Sequence, residues 1–573
     1  MKRATTLIIA TTIAISTMAQ TKQSEITVHV RLAGKVCPTN HKIGNLRTTI
    51  DGKTADTRFD LTPGKAKAGK LTTLKIPFTP GKPVTLCEGP GYTGYDLTLT
   101  HSGQTATELT LDQIPQKGTT VTATFTANGK QNLFYTIEHD RPYRIPAIAK
   151  ANNGDLIAIS DDRFCGADIG YGRVDLVYKV SHDNGKTWSA KDIMLAQGNG
   201  HNDSNTCGYG DAAVCADRSS DKIMLMAVSA PNGGTCWTAK QRGVITWGNP
   251  QPDGTYTWDT PIDIKDEIMS LLPSDRINYF VGSGKISQSR IIKKGDYYRV
   301  YVALWTTNGS AGDGLTNYVI YSDHLGKPGT WHLLGEKNVR PIPGGDEPKA
   351  EELPDGSIIL SGRKSYGRYY NIFRYTDATH TTGTWSTPVA THDVTDGLKW
   401  GANSTNGEIM VIKARHKHTG LPVHIALQSA PAGNSRSHVT IWYKILNTIA
   451  DYINPETFSQ HWTKGIEVTP YGSAYSTMCL QADNKIAFFF EDSKSGAGYD
   501  MVYQPIALSQ LTGLEDYEIE VDQVEDDDTG INDILTTRPA VDTPRTIYTL
   551  TGIRQSRPSK GINIVDGVKV IIK

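Results

Sequence analysis

A strand followed by a tight turn recurs in the middle of this 573-residue chain. The turn is most complete at 181–188, Ser-His-Asp-Asn-Gly-Lys-Thr-Trp, and looser versions follow at 322–331 and 376–385. Asp and Gly favour a tight turn, the Asp side chain can accept hydrogen bonds from turn amides, and the Trp can pack beneath. A turn that repeats after successive strands predicts a β-propeller with one such turn per blade, so we interpret these residues as structural.

A different strand pattern occupies the preceding segment, 20–130. It is rich in Thr and alternates apolar and polar residues, for example at 27–32 and 119–125, with Pro and Gly between the runs. This alternation predicts the short strands of a β-sandwich of about 100 residues. A sandwich in front of a larger domain can be a carbohydrate-binding module or a spacer that folds and binds nothing, and the sequence favours neither.

The first 19 residues have the pattern of a secretory signal peptide. Lys2 and Arg3 give a positive start, 7–15 is mostly apolar, and small residues at 17–19 predict cleavage after Ala19. No later window approaches the roughly 20 apolar residues that a membrane-spanning helix needs. We therefore expect an exported protein, periplasmic, cell-surface or secreted, without a transmembrane segment.

The C-terminal end changes character twice. Residues 513–544 are strongly acidic at first and then rich in turn formers, which predicts a linker. Residues 545–573 contain two strand-like runs, 546–550 and 568–572. This end resembles the short C-terminal sorting or anchoring tails of exported Bacteroidetes proteins, and the alternative is a disordered tail.

Charge and cysteine content exclude other classes of protein. Lys plus Arg and Asp plus Glu number 59 each, so the formal net charge is +0. A nucleic-acid-binding protein would be expected to carry a basic domain, so we predict no nucleic-acid partner. Seven cysteines are few for an exported chain of this length, and no Cys-x-x-Cys pair suggests a zinc site.

The stretch from 143 to 188 is the most informative. It begins with Tyr-Arg-Ile-Pro at 143–146, continues through a predicted strand at 156–160 into a Gly-rich loop, and ends in the turn at 181–188. These two motifs in this order resemble the bacterial exo-α-sialidases (neuraminidases), whose turns are known as Asp-boxes. The resemblance covers 131–512 and implies an all-β fold, a six-bladed β-propeller preceded by the β-sandwich, with the active site at one end of the propeller axis.

The resemblance implies a triad of arginines that binds the carboxylate of sialic acid. Arg144 comes from the Tyr-Arg-Ile-Pro motif, Arg363 from the end of a predicted strand, and Arg436 from a segment just before another strand. An Arg guanidinium offers a carboxylate a planar, bidentate partner that Lys cannot match.

The family match also implies a tyrosine nucleophile, Tyr475, which is activated by Glu347. A negatively charged nucleophile would be repelled by the carboxylate on the anomeric carbon, whereas a neutral Tyr beside a glutamate avoids that repulsion. Glu351 shares a strand face with Glu347 by the two-residue period of a strand and is the competitor for this role.

A further carboxylate is needed as general acid and base, and the match implies Asp168 in the Gly-rich loop. Asp161, Asp162 and Asp175 are nearby alternatives. Glu491 matches the carboxylate that holds the first arginine of the triad, Arg144.

Three additional positions resemble sugar contacts. Asp211 and Arg163 match residues near the ring hydroxyl or acetamido group, although the family usually has Asp-Pro where this chain has Asp-Ala. Gln288 falls where relatives contact the glycerol tail. The alternative for each of the three is a structural role.

Taken together, the resemblance implies a retaining exo-α-sialidase that cleaves terminal sialic acid from glycoconjugates through a sialyl-tyrosine intermediate. Alternatives are an intermolecular or intramolecular trans-sialidase, and a non-catalytic propeller that binds sialoglycans. The expected partners are sialylated glycans, no metal or organic cofactor is implied, and we expect a monomer or a weak oligomer.

Overall fold

The computed structural model of the chain describes residues 24–34, 43–60, 72–91, 93–112, 114–115, 117–136, 141–196, 208–229, 241–309 and 314–520, together with the backbone of four short strands between 547 and 572. The chain divides into two compact units, Met1–Val521 and Asp522–Lys573. Nearly all described elements are β-strands, so the all-β prediction is confirmed. The predicted signal peptide, 1–19, lies outside the described residues.

The first nine strands form two sheets that share one apolar core. The strand order is β4-β1-β9-β6-β7 in one sheet and β3-β2-β5-β8 in the other, and only β1 and β9 pair in parallel. Val28, Leu86 and Phe125 are fully buried between the two sheets, because alternate residues of each strand point to the same face. The strands are β1 Glu25–Ala33, β2 Ile43–Ile50, β3 Lys53–Asp60, β4 Thr72–Pro77, β5 Val84–Glu88, β6 Tyr95–His101, β7 Gln104–Ala106, β8 Glu108–Leu111 and β9 Thr119–Ala127.

Six further sheets follow among the described residues of the first unit, built mainly from consecutive antiparallel strands. The strands and helices of the first three of these sheets are β11 Tyr143–Lys150, β12 Leu156–Asp162, β13 Asp175–Ser181, β14 Asp192–Leu195, β15 Tyr209–Ala216, β16 Ile223–Ser229, β17 Arg242–Pro250, β18 Tyr256–Trp258, β19 Ile262–Asp263, α1 Lys265–Leu271, β20 Asn278–Val281, β21 Gly284–Lys285, β22 Ser287–Lys294, β23 Tyr297–Thr307, β24 Leu315–Ser322, β25 Trp331–Leu333 and β26 Ile342–Pro343. Here β11–β14 form one sheet, β15–β19 with β21 the second, and β20 with β22–β26 the third.

The other three sheets contain the rest of the first unit. Their elements are β10 Gln131–Phe134, β27 Asp346–Glu352, β28 Ile358–Lys364, β29 Gly367–Tyr375, β30 Gly383–Trp385, β31 Val389–Ala390, β32 Ile409–His416, β33 Pro422–Pro431, β34 Ser437–Leu446, α2 Pro455–Ser459, β35 Thr463–Gly472, β36 Ser476–Leu480, β37 Ile486–Asp492, β38 Asp500–Ile506 and β39 Tyr517–Ile519, with short 3-10 helices at Thr391–Asp393, Ile449–Tyr452 and Leu508–Gln510. The strands β27–β31 form one sheet, β32–β35 with β39 another, and β36–β38 with β10 the last.

Apolar clusters connect each of these sheets to the next along the chain. One cluster joins β11–β13 to β15–β17, for example through Leu176 and Leu225, and four similar clusters continue to β36–β38. A further cluster joins the last sheet back to the first, through Phe489 and Ile148. The strand β10 precedes the first of these sheets in sequence but pairs with β38 in the last, with Gln131 opposite Tyr503.

The turn at 181–188 has the local geometry expected from its sequence. The Asp183 carboxylate accepts hydrogen bonds from the Thr187 amide at 2.8 Å and from the Thr187 hydroxyl at 2.6 Å. Gly185 has a left-handed φ of +73°, which glycine adopts without steric cost. Trp188 is buried and packs edge-on against Tyr503, with ring centroids 5.1 Å apart.

The end of the first unit lies later than the sequence predicts. The sequence predicts a linker from residue 513, but Leu514 is fully buried and β39 pairs with β32. The unit therefore ends at Val521, and the remainder of the predicted linker, 521–544, lies outside the described residues. The second unit contains a four-stranded antiparallel sheet, with strands β40 Ile547–Thr549, β41 Arg554–Gln555, β42 Gly561–Val565 and β43 Val568–Ile572.

Four of the seven cysteines lie in the described residues, and all four are free thiols: Cys87, Cys165, Cys215 and Cys479. Among the helices that the structure describes, none combines the length and the apolar character needed to cross a membrane.

Candidate active site

Tyr475 and Glu347 meet although they are far apart in sequence. Tyr475 directly precedes β36, and Glu347 is the second residue of β27. The Tyr475 hydroxyl donates a hydrogen bond to Glu347 Oε1 at 2.6 Å. The competitor Glu351 instead pairs with Lys285 and with Arg290. The geometry therefore brings Glu347, and not Glu351, to the tyrosine.

The environment of Tyr475 keeps its phenol protonated. The side chain is 6% exposed, and burial together with the adjacent Glu347 charge raises the pKa of Tyr475 well above its usual value. Arg363, whose Nη1 lies 3.3 Å from the Tyr475 hydroxyl, lowers this pKa but does not offset the rise. An attack by the phenol oxygen therefore requires a base, and Glu347 is already hydrogen-bonded to the proton that must leave.

The three predicted arginines surround this tyrosine. In addition to the Arg363 contact, the guanidinium carbons of Arg144 and Arg436 lie 5.4 Å and 5.8 Å from the centroid of the Tyr475 ring. The three arginines come from three different sheets or the loops beside them. The fold thus places three guanidinium groups around one phenol.

Glu491 fixes one side of this arrangement. Its Oε1 accepts hydrogen bonds from Arg144 Nε at 2.6 Å and from the Ile145 amide at 3.0 Å, and its Oε2 accepts from the Tyr475 amide at 3.0 Å. Glu491 is fully buried, so these partners stabilise a charge that would otherwise be costly. Burial alone would lower the pKa of Arg144, but Glu491 raises it above its usual value, and the guanidinium stays charged.

The charges of the arginines are unequally balanced. Arg144 pairs with Glu491, and Arg363 pairs with Glu347 at 2.9 Å. Arg436 forms no ion pair with any residue that the structure describes, whereas Arg363 also lies near Asp346. A carboxylate is the kind of ligand that a guanidinium without an ionic partner favours.

Asp168 lies in the loop between β12 and β13, and its side chain is 46% exposed. Arg163 Nη1 contacts Asp168 Oδ1 at 2.9 Å, and Arg163 Nη2 contacts Asp161 Oδ2 at 3.0 Å. The three alternatives are buried in structural ion pairs: Asp161 with Arg163, Asp162 with Arg141 and Lys191, and Asp175 with Arg173. Of the four candidates, Asp168 is the carboxylate that an incoming sugar can reach.

Asp211 belongs to the same group of carboxylates. It has a left-handed φ of +53°, and its amide donates to Asp161 Oδ1 at 3.1 Å. Burial, and then the charges of Asp161 and Asp168, raise the pKa of Asp211 well above its usual value. The charge of Asp211 also contributes to the raised pKa of Tyr475.

Gln288 is engaged elsewhere. Its side chain donates to Asp217 Oδ1 at 2.9 Å and to the Tyr298 carbonyl, and it accepts from the Arg218 amide at 2.8 Å. These contacts tie β22 to the end of β15, and none of them involves the residues around Tyr475. A contact between Gln288 and the substrate stays a prediction.

Three residues of the cluster were not foreseen in the sequence. Ser404 accepts a hydrogen bond from Arg363 Nε at 2.8 Å, and Asp346 Oδ2 lies 3.5 Å from the same atom. The Tyr499 ring lies 5.1 Å from the Arg144 guanidinium carbon, on a loop before β38. Asp346 could have been found as the acidic neighbour of Glu347, whereas Ser404 and Tyr499 have no local motif.

Known proteins resemble this chain in sequence. No protein-family model matches it. A sialidase of Micromonospora viridifaciens is 25% identical over 387 residues, which cover 65% of this chain and 52% of that protein. A sialidase of Clostridium perfringens is 27% identical over 240 residues, covering 41% of this chain and 58% of that protein. The chain therefore spans little more than half the length of either relative.

Solved structures resemble the fold. The Hadza microbial sialidase Hz136 has a TM-score of 0.57 at 17% identity, covering 86% of this chain and 94% of that one. A leech intramolecular trans-sialidase, solved with 2,7-anhydro-Neu5Ac, has a TM-score of 0.52 at 15% identity, with 86% and 95% covered.

The successive sheets and the cluster of arginines around a buried tyrosine define an all-β protein with a site for an anion. In sequence the chain is similar to bacterial sialidases, and its fold is similar to that of a solved microbial sialidase.

Proposed function

We propose that the protein is a retaining exo-α-sialidase that removes terminal α-linked sialic acid from glycoproteins, glycolipids and oligosaccharides. The observation that carries this proposal is the 2.6 Å hydrogen bond from Tyr475 to Glu347 inside the group of three arginines. A tyrosine and glutamate pair supplies a nucleophile that is neutral until it reacts, and the arginines supply the partner for a substrate carboxylate.

In the first step the sialic acid carboxylate binds Arg144, Arg363 and Arg436, which places the anomeric carbon beside Tyr475. Glu347 accepts the phenolic proton, and the Tyr475 oxygen forms a bond to the anomeric carbon. The bond from that carbon to the leaving oxygen breaks, and Asp168 donates a proton to that oxygen. The exposed position of Asp168 supports this assignment, because the leaving group extends toward solvent.

In the second step a water molecule replaces the leaving group. Asp168, now ionised, accepts a proton from the water while the water oxygen bonds to the anomeric carbon. The bond from that carbon to Tyr475 breaks, and the phenoxide takes its proton back from Glu347. Two displacements at one carbon retain the configuration of the sugar.

We also propose that the six sheets are the blades of a β-propeller. The apolar clusters between consecutive sheets, together with the cluster between the last sheet and the first, support a closed ring. In such a ring the strand β10 completes the last blade. Export, directed by the segment 1–19, belongs to the same proposal and would bring the enzyme to sialylated glycans outside the cytoplasm.

An intramolecular trans-sialidase is the second candidate, because the leech enzyme of that name shares the fold. Both reactions have the same first step and differ in whether water or a hydroxyl of the sialic acid itself attacks the intermediate. Product analysis separates the two. Free sialic acid from a sialylated reporter supports hydrolysis, an anhydro sugar supports the intramolecular reaction, and transfer to added lactose supports an intermolecular trans-sialidase.

Replacing the nucleophile tests the proposal directly. We expect Tyr475→Phe to lower kcat by about 10²-fold or more, since the phenol oxygen forms the covalent bond. Binding of a sialoside should persist, because the arginines remain. The matched control is Tyr297→Phe, which removes a hydroxyl from a tyrosine that is 37% exposed and outside the cluster. Unchanged hydrolysis by Tyr475→Phe would mean that another group is the nucleophile. Binding of a sialoside without turnover by the wild-type protein would support a sialoglycan-binding propeller.

A further inference from the structure

The N-terminal sandwich contacts the loop 493–499, which joins β37 to β38. Lys494 in this loop has a side chain that is only 2% exposed, and its Nζ lies 2.7 Å from Glu88 Oε1 at the end of β5. The same Nζ donates to the Tyr95 carbonyl at 2.6 Å, and the Gly91 amide donates to the Lys494 carbonyl at 3.1 Å. The buried ammonium group thus has its partners in the sandwich.

The loop begins two residues after one residue of the candidate site and ends with another. Glu491, which holds Arg144 and the Tyr475 amide, is three residues before Lys494. Tyr499, whose ring faces Arg144, is five residues after it. Lys494 is therefore only a few residues from two groups that contact the Arg144 guanidinium.

Short hydrogen bonds stiffen the path from Lys494 to Tyr475. The Lys494 amide donates to Asp492 Oδ1 at 2.7 Å, and the Ser493 amide donates to the Gly472 carbonyl at 2.8 Å. The next residue, Ser473, donates its amide to the Arg436 carbonyl at 2.8 Å. The segment that leads to Tyr475 is therefore fixed both to this loop and to a second arginine of the triad.

A second connection reaches the far end of the loop. The Thr93 amide of the sandwich donates to Asn132 Oδ1 at 3.2 Å, and Asn132 Nδ2 donates to Asp500 Oδ2 at 3.0 Å. Asp500 follows Tyr499 directly and begins β38. The sandwich thus holds the loop at both ends, through Lys494 and through Asp500.

We propose that the N-terminal sandwich is a positioning element of the active site: the Glu88 and Lys494 ion pair holds the loop 493–499 so that Glu491 and Tyr499 orient Arg144 beside Tyr475. Lys494 is a positioning residue, because it acts through Glu491 and has no contact with the reacting atoms. This role differs from both sequence-based alternatives for the domain, a tethered carbohydrate-binding module and a passive spacer. The expected change in kinetics rests on the proposed sialidase function, whereas the expected change in hydrogen exchange does not.

The test replaces Lys494 by Met, whose unbranched side chain is one atom shorter and carries no charge. We expect faster hydrogen exchange at the Ile145 and Tyr475 amides, the two backbone donors to Glu491, while amides elsewhere in β11 and β36 keep their protection. With a sialylated reporter, KM should rise and kcat/KM should fall by about ten-fold or more, because Arg144 is displaced from its productive geometry.

Two other variants complete the experiment. Glu88→Gln removes the same ion pair from the sandwich side, and it serves if Lys494→Met does not fold. Lys75→Met is the matched control, since Lys75 forms an exposed ion pair with Glu25 in the same sandwich. We expect Glu88→Gln to reproduce the changes and Lys75→Met to cause none.

The outcomes separate the two proposals. If the wild-type protein hydrolyses the reporter and folded Glu88→Gln matches it in both kcat/KM and exchange, the positioning role is wrong while the sialidase proposal stands. If the wild-type protein hydrolyses no sialoside, the proposed function fails, and the exchange rates at Ile145 and Tyr475 still decide the positioning role.

Discussion

At the scale of single residues, two of the three glutamates of β27 show how environment assigns a role. Strand periodicity places Glu347 and Glu351 on one face, but the pairing of β27 with β28 shifts register between Asp346 and Lys349. Such an irregularity changes the direction in which side chains point. As a result, Glu347 reaches Tyr475, while Glu351 meets Lys285 in the interior.

A pair of isosteric substitutions separates these roles. Glu347→Gln should lower kcat by about 10²- to 10⁴-fold, the usual contribution of a general base, with little change in stability. Glu351→Gln should leave kcat of the folded protein unchanged but lower the free energy of unfolding by about 3 kcal/mol, because it leaves Lys285 and Arg290, both mostly buried, without this carboxylate partner. Steady-state kinetics and urea unfolding of both variants check this, and the reverse pattern would assign Glu351 to the reaction.

Residues with a motif were predictable, and residues defined only by distant contacts were not. Arg144 stands in the Tyr-Arg-Ile-Pro motif, and the structure brings it to Tyr475 as expected. Tyr499 faces the same guanidinium but follows a Gly-Ala-Gly run that is common in loops. Its proximity depends on the pairing of β37 with β38, which sequence spacing does not specify.

At the scale of elements, the turn at 181–188 is a self-contained unit. Asp183 accepts three hydrogen bonds within it, from Ser181 and from the amide and hydroxyl of Thr187. This network satisfies backbone groups that the reversal from β13 to the next strand would otherwise leave unpaired. The role is structural, as its sequence indicates.

Removing the Asp183 carboxylate should therefore weaken the fold and not the chemistry. We expect Asp183→Ala to lower the free energy of unfolding by about 1–3 kcal/mol, since amide donors lose their acceptor. The kcat of the folded protein should stay the same. Lys186→Ala, at an exposed position of the same turn, is the control and should change neither quantity. A lower kcat in Asp183→Ala at temperatures where it is folded would argue against a purely structural turn.

The positions of the strands were predicted better than the pairing between them. The alternating runs at 27–32 and 119–125 are β1 and β9, but their parallel pairing has no signature in the sequence. The strand β39 was assigned to a linker, because acidic residues surround it and its apolar contacts are with distant residues. Local composition therefore located the strands that were predicted individually and misplaced one boundary.

At the scale of the whole molecule, a formal net charge of +0 conceals strong local fields. Buried carboxylates contribute to these fields. Asp500 accepts hydrogen bonds from the Thr136 amide and from Asn132, and burial raises the pKa of Asp500 to about 7. In an unfolded chain the pKa of an Asp is about 3.9. At a pH between the two pKa values, the folded protein therefore holds a proton that the unfolded chain lacks.

This difference makes stability depend on pH. A raised carboxyl pKa stabilises the fold at low pH, and the contribution is lost as pH rises toward 7. Relative to Asp500→Asn, the wild-type free energy of unfolding should fall by about 1 kcal/mol per pH unit between pH 5 and 7. Urea unfolding of both proteins at pH 5, 6 and 7 measures this pH dependence. A difference between Asp500→Asn and the wild type that stays constant from pH 5 to 7 would mean that Asp500 is ionised throughout this range.

The pairing of β10 with β38 has a consequence for synthesis of the chain. Asn132 contacts Asp500 across 368 positions, so the last of the six sheets cannot be completed until nearly all of the first unit has left the ribosome. Because synthesis proceeds at about 5–20 residues per second, the backbone donors and acceptors at the edge of β10 stay unpaired for tens of seconds. During that time a neighbouring nascent chain can pair with it, so chaperones that shield strand edges should matter more for the yield of this protein than for its stability once folded.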